Sequence, residues 1–174
     1  MIDLKENPRR QWSTPQALVD AIGRAYIGGP FELDVAVSAS NAKAPHYYDV
    51  TMNGLIRPWS GRVWLNPPYD EITPWVDRAI SERHACTAIV ALLAARTDQP
   101  WFHAALKVAR EVVFLQGRVQ FEPPDATIKV SSNREPSLLL IFDALKHARA
   151  KISSAKVSDL LGGKGARHVR GRRR

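Results

Sequence analysis

The stretch GRVWLNPPYDEI, residues 61–72, decides how this chain is read. It begins as an apolar strand and ends in an amide, two prolines and an aromatic ring. Proline lacks an N–H and has a fixed φ, so it neither continues a sheet ladder nor enters a helix interior. Pro67 and Pro68 therefore make a stiff turn that holds Asn66 and Tyr69 at a strand end. In an open α/β sheet, ligands sit at strand ends. A bare N-P-P would read as a stiffened turn with Tyr69 in the core. The apolar strand before it and the helical pattern after it shift the balance to chemistry.

Working outward, WSTPQALVDAI opens a helix, with Ser13 or Thr14 placed to cap it and Pro15 in the first turn. FELDVAV is a strand with Asp34 at or near its end, followed by a long loop of small and polar residues. After the proline pair, Thr73 is placed to cap a second helix, with Pro74 in its first turn. CTAIVALLAA is a fully buried strand, and Asp98 stands where it would cap the helix that opens at Pro100. VVFLQGRVQF and SLLLIFDAL read as two further strands, and residues 146–162 as a final helix. Strands and helices in alternation, with strands apolar throughout, imply a parallel or mixed sheet covered on both faces. Residues 1–160 form one domain on this reading, and 161–174 a basic tail.

Composition narrows the function classes. The 174 residues carry a net charge of +8, which favours a polyanionic partner, nucleic acid before membrane. The tail supplies six of those charges, Arg170 and Arg172 among them, so the body is nearly neutral. No signal peptide and no apolar run of membrane-spanning length is present, which points to a cytoplasmic protein. The single cysteine, Cys86, lies in an apolar run and reads as a buried structural thiol. Five histidines without ligand spacing give no expectation of a metal.

The strand-end motif suits one difficult reaction. The lone pair of an exocyclic amine is delocalised into its ring, so the nitrogen attacks poorly. Acceptors on its N–H groups draw it towards a pyramidal geometry. Asn66 offers a side-chain carbonyl, the Pro67 carbonyl a second acceptor, and Tyr69 a flat face for a base.

With WSTPQALVDAI, FELDVAVSASNAKAPHYYD, NGLIRPWSGRVWLNPPY, LLAARTDQPWFH, FLQGRVQF and PSLLLIF in order, the chain resembles the phage-encoded DNA N6-adenine methyltransferase (Dam-like) family. The resemblance implies a reduced Rossmann-like fold with a mostly parallel sheet and helices on both faces. It implies S-adenosyl-L-methionine as donor and adenine N6 in DNA as acceptor. By motif, Asn66, Pro67, Pro68 and Tyr69 would hold a flipped adenine. Thr14, Pro15, Asp34, Val35 and Ala36, with Asn66, would border the cofactor. A phage-encoded protein, monomeric or weakly dimeric, is expected.

One departure stands out. The first strand is followed by VSASN, with no glycine-rich loop, and only 32 positions separate Asp34 from Asn66. The sheet must be trimmed, or the loop must do the cofactor work. Arg96, at the end of a buried strand, wants an anion: a structural acid, the methionine carboxylate or a DNA phosphate. Arg118 reads as facing DNA or as a solvated strand end. Target specificity is expected from loops such as residues 122–136. NPPY by itself leaves an amino group in RNA or a protein amide as alternative acceptors. A non-catalytic nucleic-acid-binding protein is the reading from another class.

Overall fold

Strands apolar on both sides must be covered on both sides, and that requirement builds this molecule. A computed structural model describes residues 12–38, 40–123 and 135–162. Among them lie β1 (Leu33–Asp34), β2 (His46–Tyr47), β3 (Gly61–Leu65), β4 (Cys86–Ala94), β5 (Glu111–Gln116), β6 (Ser137–Phe142) and β7 (Lys151–Lys156). They form one sheet in the order β2-β1-β3-β4-β6-β5-β7. Pairing is parallel between β1 and β2, β1 and β3, β3 and β4, and β5 and β7. Only β6 runs against its neighbours β4 and β5. The sheet is mostly parallel, as expected.

Alternate residues of the central strands feed two cores. Val63, Leu65, Ile89, Ala91 and Leu93 meet Val76 and Ala79 of α2 (Ile72–Glu82), together with Trp101 and Phe102 of α3 (Pro100–Leu106). On the other face, Trp64, Val90 and Leu92 meet Leu18 and Ile22 of α1 (Gln16–Ile22) and Leu160 of α4 (Val157–Leu161). Phe31 tilts against the fully buried Trp64 at 5.1 Å between ring centroids. Helices therefore cover both faces.

The connections say where a ligand crevice is expected. β1 leads outward to β2, whereas β3 leads the other way, through α2, to β4. The strand order reverses between β1 and β3, and an open α/β sheet leaves its ligand crevice at that reversal, outside the carboxyl ends. Asp34 pairs with Trp64, so Asn66 lies just beyond it on the neighbouring strand. The two residues read as site candidates stand side by side at the ends of β1 and β3.

Several local expectations are corrected. Neither Ser13 nor Thr14 caps α1, whose N-cap is Pro15 without a side-chain cap bond. Thr14 spends its hydroxyl elsewhere. Thr73 lies inside α2, which begins at Ile72, and Asp98 gives way to Gln99 as N-cap of α3. The strand expected over VVFLQGRVQF, β5, stops at Gln116, because Gly117 adopts φ 95, a left-handed conformation that ends the ladder. Residues 151–156 form β7 in place of a helix, and only 157–161 are helical. The exposed edge of β5 offers unpaired backbone groups. KISSAK, with a β-branched residue and two serines, satisfies them better than it would fill helix turns. Lys151 and Ser153 also meet the Glu111 carboxylate, at 3.1 and 2.5 Å. Residues 163–174 of the tail, Arg170 and Arg172 among them, lie outside the described residues, as do residues 124–134 of the loop expected to set specificity.

Candidate active site

Asn66 leaves the end of β3 with its amide half used. Nδ2 donates to Thr14 Oγ1 at 3.1 Å. Oδ1 is buried and has no hydrogen-bond partner among the described residues. A buried acceptor left unpaired costs about 1–3 kcal/mol, so a fold keeps one only where something compensates. Pro67, next in the chain, is buried, and Pro68 half-buried. The stiff turn expected from the two prolines therefore presents one free carbonyl oxygen.

Thr14 is only 1% exposed, on the arm that precedes α1. Two backbone hydrogen bonds between Ser13 and Glu122, 2.9 and 2.8 Å, tie that arm to the segment after β5. Pro15 accepts the first helical N–H groups, from Leu18 and Val19. The turn at Gly117 is what brings this segment back. It also carries Phe121 to Tyr69, edge to face at 6.2 Å. The Tyr69 hydroxyl is buried against Ser137, and burial pushes the phenol above its ordinary range. Phe121 was not legible as a site residue, because nothing in VQFE announces that the strand ends before it.

Arg96 finds its anion inside the protein. Nε and Nη2 donate to the two carboxylate oxygens of Glu135 at 2.7 and 2.6 Å, and Nη1 donates to the Tyr69 carbonyl at 2.9 Å. The side-chain hydrogen bonds from Arg96 hold the Glu135 carboxyl below its ordinary range. Thus β4 and the segment before β6 are clamped onto the NPPY turn. Arg118 is exposed just after Gly117.

Asp34 is 2% exposed at the end of β1. Its carboxylate accepts from the Lys43 amide at 3.0 Å and, more weakly, from the Ala36 amide at 3.5 Å. It thereby shapes the loop between β1 and β2. Val35, fully buried, continues the pairing with a bond from its amide to the Trp64 carbonyl. Gly54 presses on the Val35 carbonyl so closely that any Cβ would overlap it, which packs the β2–β3 loop against this strand end.

Burial pushes the Asp34 carboxyl up to about 7, against the pull of the Lys43 and Ala36 amides. A carboxyl raised in the folded state favours the protonated form. Its contribution to stability is full below the unfolded value of about 3.9 and is lost as pH rises through about 7. Asp34→Asn is therefore expected to flatten the stability profile between these limits. Urea unfolding at pH 5 and pH 8 checks it: the variant gains on the wild type at the higher pH. Parallel profiles would refute the raised carboxyl.

Cys86 is buried and free, its thiol pushed up to about 12 by burial and the nearby Glu82, which makes it a poor nucleophile. Among the described residues, no three of His, Cys, Asp or Glu gather as a metal site, and no helix is long and apolar enough to cross a membrane.

A family model described as DNA N-6-adenine-methyltransferase (Dam) matches residues 2–167. A protein of Haemophilus phage HP1 (strain HP1c1) named DNA N-6-adenine-methyltransferase is 30% identical over 143 residues, covering 80% of this chain and 82% of the relative. One of the same name from Escherichia phage T1 is 28% identical over 160 residues, covering 82% of this chain and 66% of the relative. Nearly the whole chain falls within the match, from the arm that carries Thr14 to the start of the basic tail. This protein belongs to the DNA N-6-adenine-methyltransferase (Dam) family.

Proposed function

We propose that the protein methylates N6 of adenine in DNA with the target base held out of the duplex at Asn66–Tyr69. Adenine-specific methylation of DNA follows from membership of the family, and S-adenosyl-L-methionine follows with it as the donor. The observation that carries the site assignment is the buried, unpartnered Oδ1 of Asn66 beside the strand-order reversal.

N6 is out of reach inside a duplex, so the base must be extruded, at a cost of a few kcal/mol in lost pairing and stacking. The extruded amine then meets Asn66 Oδ1, which accepts one N6–H, with the Pro67 carbonyl as acceptor for the other. Both draw N6 towards a pyramidal geometry and return its lone pair for attack. The half-buried Tyr69 supplies the ring on which the base stacks, worth about 1–3 kcal/mol, while Phe121 and Ser137 contact that side chain.

S-adenosyl-L-methionine, when bound, supplies a methyl group on a sulfonium, so no covalent enzyme intermediate is needed. The reversal of strand order between β1 and β3 supports a site for it at the ends of these two strands. The residues there fit a cationic donor: Asp34 is a buried carboxylate whose pKa would fall beside a positive charge. Val35 and Ala36 border it, and the loop between β1 and β2 stands in for a glycine-rich turn. Thr14 and Pro15 flank the same crevice from the arm. The basic tail and Arg118 are assigned to phosphates, which add affinity without reading sequence.

The test is incubation with radiolabelled S-adenosyl-L-methionine and DNA, RNA or protein in parallel, followed by nucleoside and amino-acid analysis. Label in N6-methyladenine from DNA is the expected result. Label in RNA or in a protein amide would move the acceptor. DNA retention without any label would leave a binding protein.

A further inference from the structure

We propose that Thr14 is a positioning residue of the transfer step: its hydroxyl takes up Nδ2 of Asn66 and so fixes Oδ1 as the face of the amide that meets N6. The inference rests on the assignment of Asn66 as the acceptor.

A carboxamide is nearly symmetric in shape. Rotated by half a turn, Asn66 would present N–H groups to an incoming amine that also carries N–H groups, and the two would repel. The 3.1 Å bond to Thr14 Oγ1 engages one of the two N–H donors of Nδ2 and turns the donor end towards Thr14. Oδ1 is left as the buried, unpaired acceptor.

Two further observations show that this is a dedicated use of the hydroxyl. Thr14 lies one residue outside the N-cap of α1, Pro15, and its hydroxyl makes no capping bond to the helix. The arm is also held in register by the paired backbone bonds of Ser13 and Glu122, so the hydroxyl is delivered to Asn66 from a fixed frame. At 1% exposure a hydroxyl must be hydrogen-bonded to be tolerated, and Asn66 is its recorded partner.

Three variants of the full chain separate the possibilities: Thr14→Val, which keeps the shape and removes the hydroxyl, Thr14→Ser, which restores it, and Asn66→Ala. Single-turnover methylation of duplex DNA at saturating cofactor is expected to slow about 10- to 100-fold in Thr14→Val, the scale of a misplaced reacting group. Thr14→Ser stays within about threefold, since the hydroxyl and its reach survive. Calorimetry should show cofactor affinity falling by far less than the rate, because the hydroxyl is spent on Asn66. In the cofactor-free protein, the Asn66 side-chain amide protons, assigned by their loss in Asn66→Ala, should exchange faster with solvent in Thr14→Val but not in Thr14→Ser. If the methyl that replaces the hydroxyl disturbs the arm, Thr14→Ala repeats the comparison without it. A wild-type rate in Thr14→Val beside an inactive Asn66→Ala overturns the proposal and leaves the Asn66 assignment standing. An active Asn66→Ala removes both. A rate defect that vanishes with more cofactor assigns Thr14 to the cofactor and overturns the positioning role.

Discussion

Asn66→Ala is expected to lower methyl transfer to DNA by at least about 10²-fold, the usual scale for losing one preorganised polar group from an active site. Stability should hardly move. The substitution loses the hydrogen bond to Thr14, worth about 1 kcal/mol, but also removes a buried acceptor that was costing about 1–3 kcal/mol. The Thr14 hydroxyl left behind offsets part of that gain. Thermal unfolding and single-turnover kinetics on the same preparation measure both sides. A dead enzyme with an intact transition is the expected pair, and a folded variant that methylates at the wild-type rate would reduce Asn66 to a turn residue.

Arg96→Ala should be the second large effect, and for a mechanical reason. The guanidinium is the clamp between Glu135 and the Tyr69 carbonyl. Displacing a reacting group by about 1 Å can cost 10²-fold, so freeing this turn should depress kcat/KM on that scale. The ion pair itself contributes little, no more than about 1 kcal/mol, since the two side chains are 39% and 41% exposed. That contribution is present at neutral pH, because Glu135 is held below its ordinary value, and fades as pH falls through the lowered one. Arg96→Lys keeps the charge without the fork and should fall between. Salt titration of DNA binding is the control. If Arg96 spent its charge on a phosphate, its loss would lower the slope of log K against log salt by about 0.9. An unchanged slope with a large loss of turnover is the outcome expected of a clamp.

Much of this is legible in the sequence. The two prolines, the apolar run of β3 and the helical period after it put Asn66 at a strand end, and the fold put it there. The fully apolar runs of β4 and β6 required a sheet buried on both faces, and both cores exist. Caps were less legible. Thr14, Thr73 and Asp98 each have the right chemistry beside a helix, but a cap is one bond of about 1 kcal/mol. A partner elsewhere in the fold, as Asn66 is for Thr14, outweighs it. Residues 151–156 failed as a helix for a similar reason, since pairing with the β5 edge outbids a weak local preference.

The sequence by itself determined the kind of layer structure, the stiffness of the NPPY turn and the chemistry its end can offer, because strand period, proline geometry and side-chain functional groups are local properties of the chain. Contacts between distant segments were decided only by tertiary structure. Thr14 and Asn66 meet across 52 positions, and Arg96 and Glu135 across 39. A hydroxyl or a carboxylate in the chain does not say which of many partners it will take. Phe121 reaches Tyr69 only because a left-handed Gly117 turns the chain back after β5. Asp34 shows the same division: its place at the end of β1 is written in FELDV, while its raised pKa arises from burial, which exists only once the sheet and its loops have closed around it.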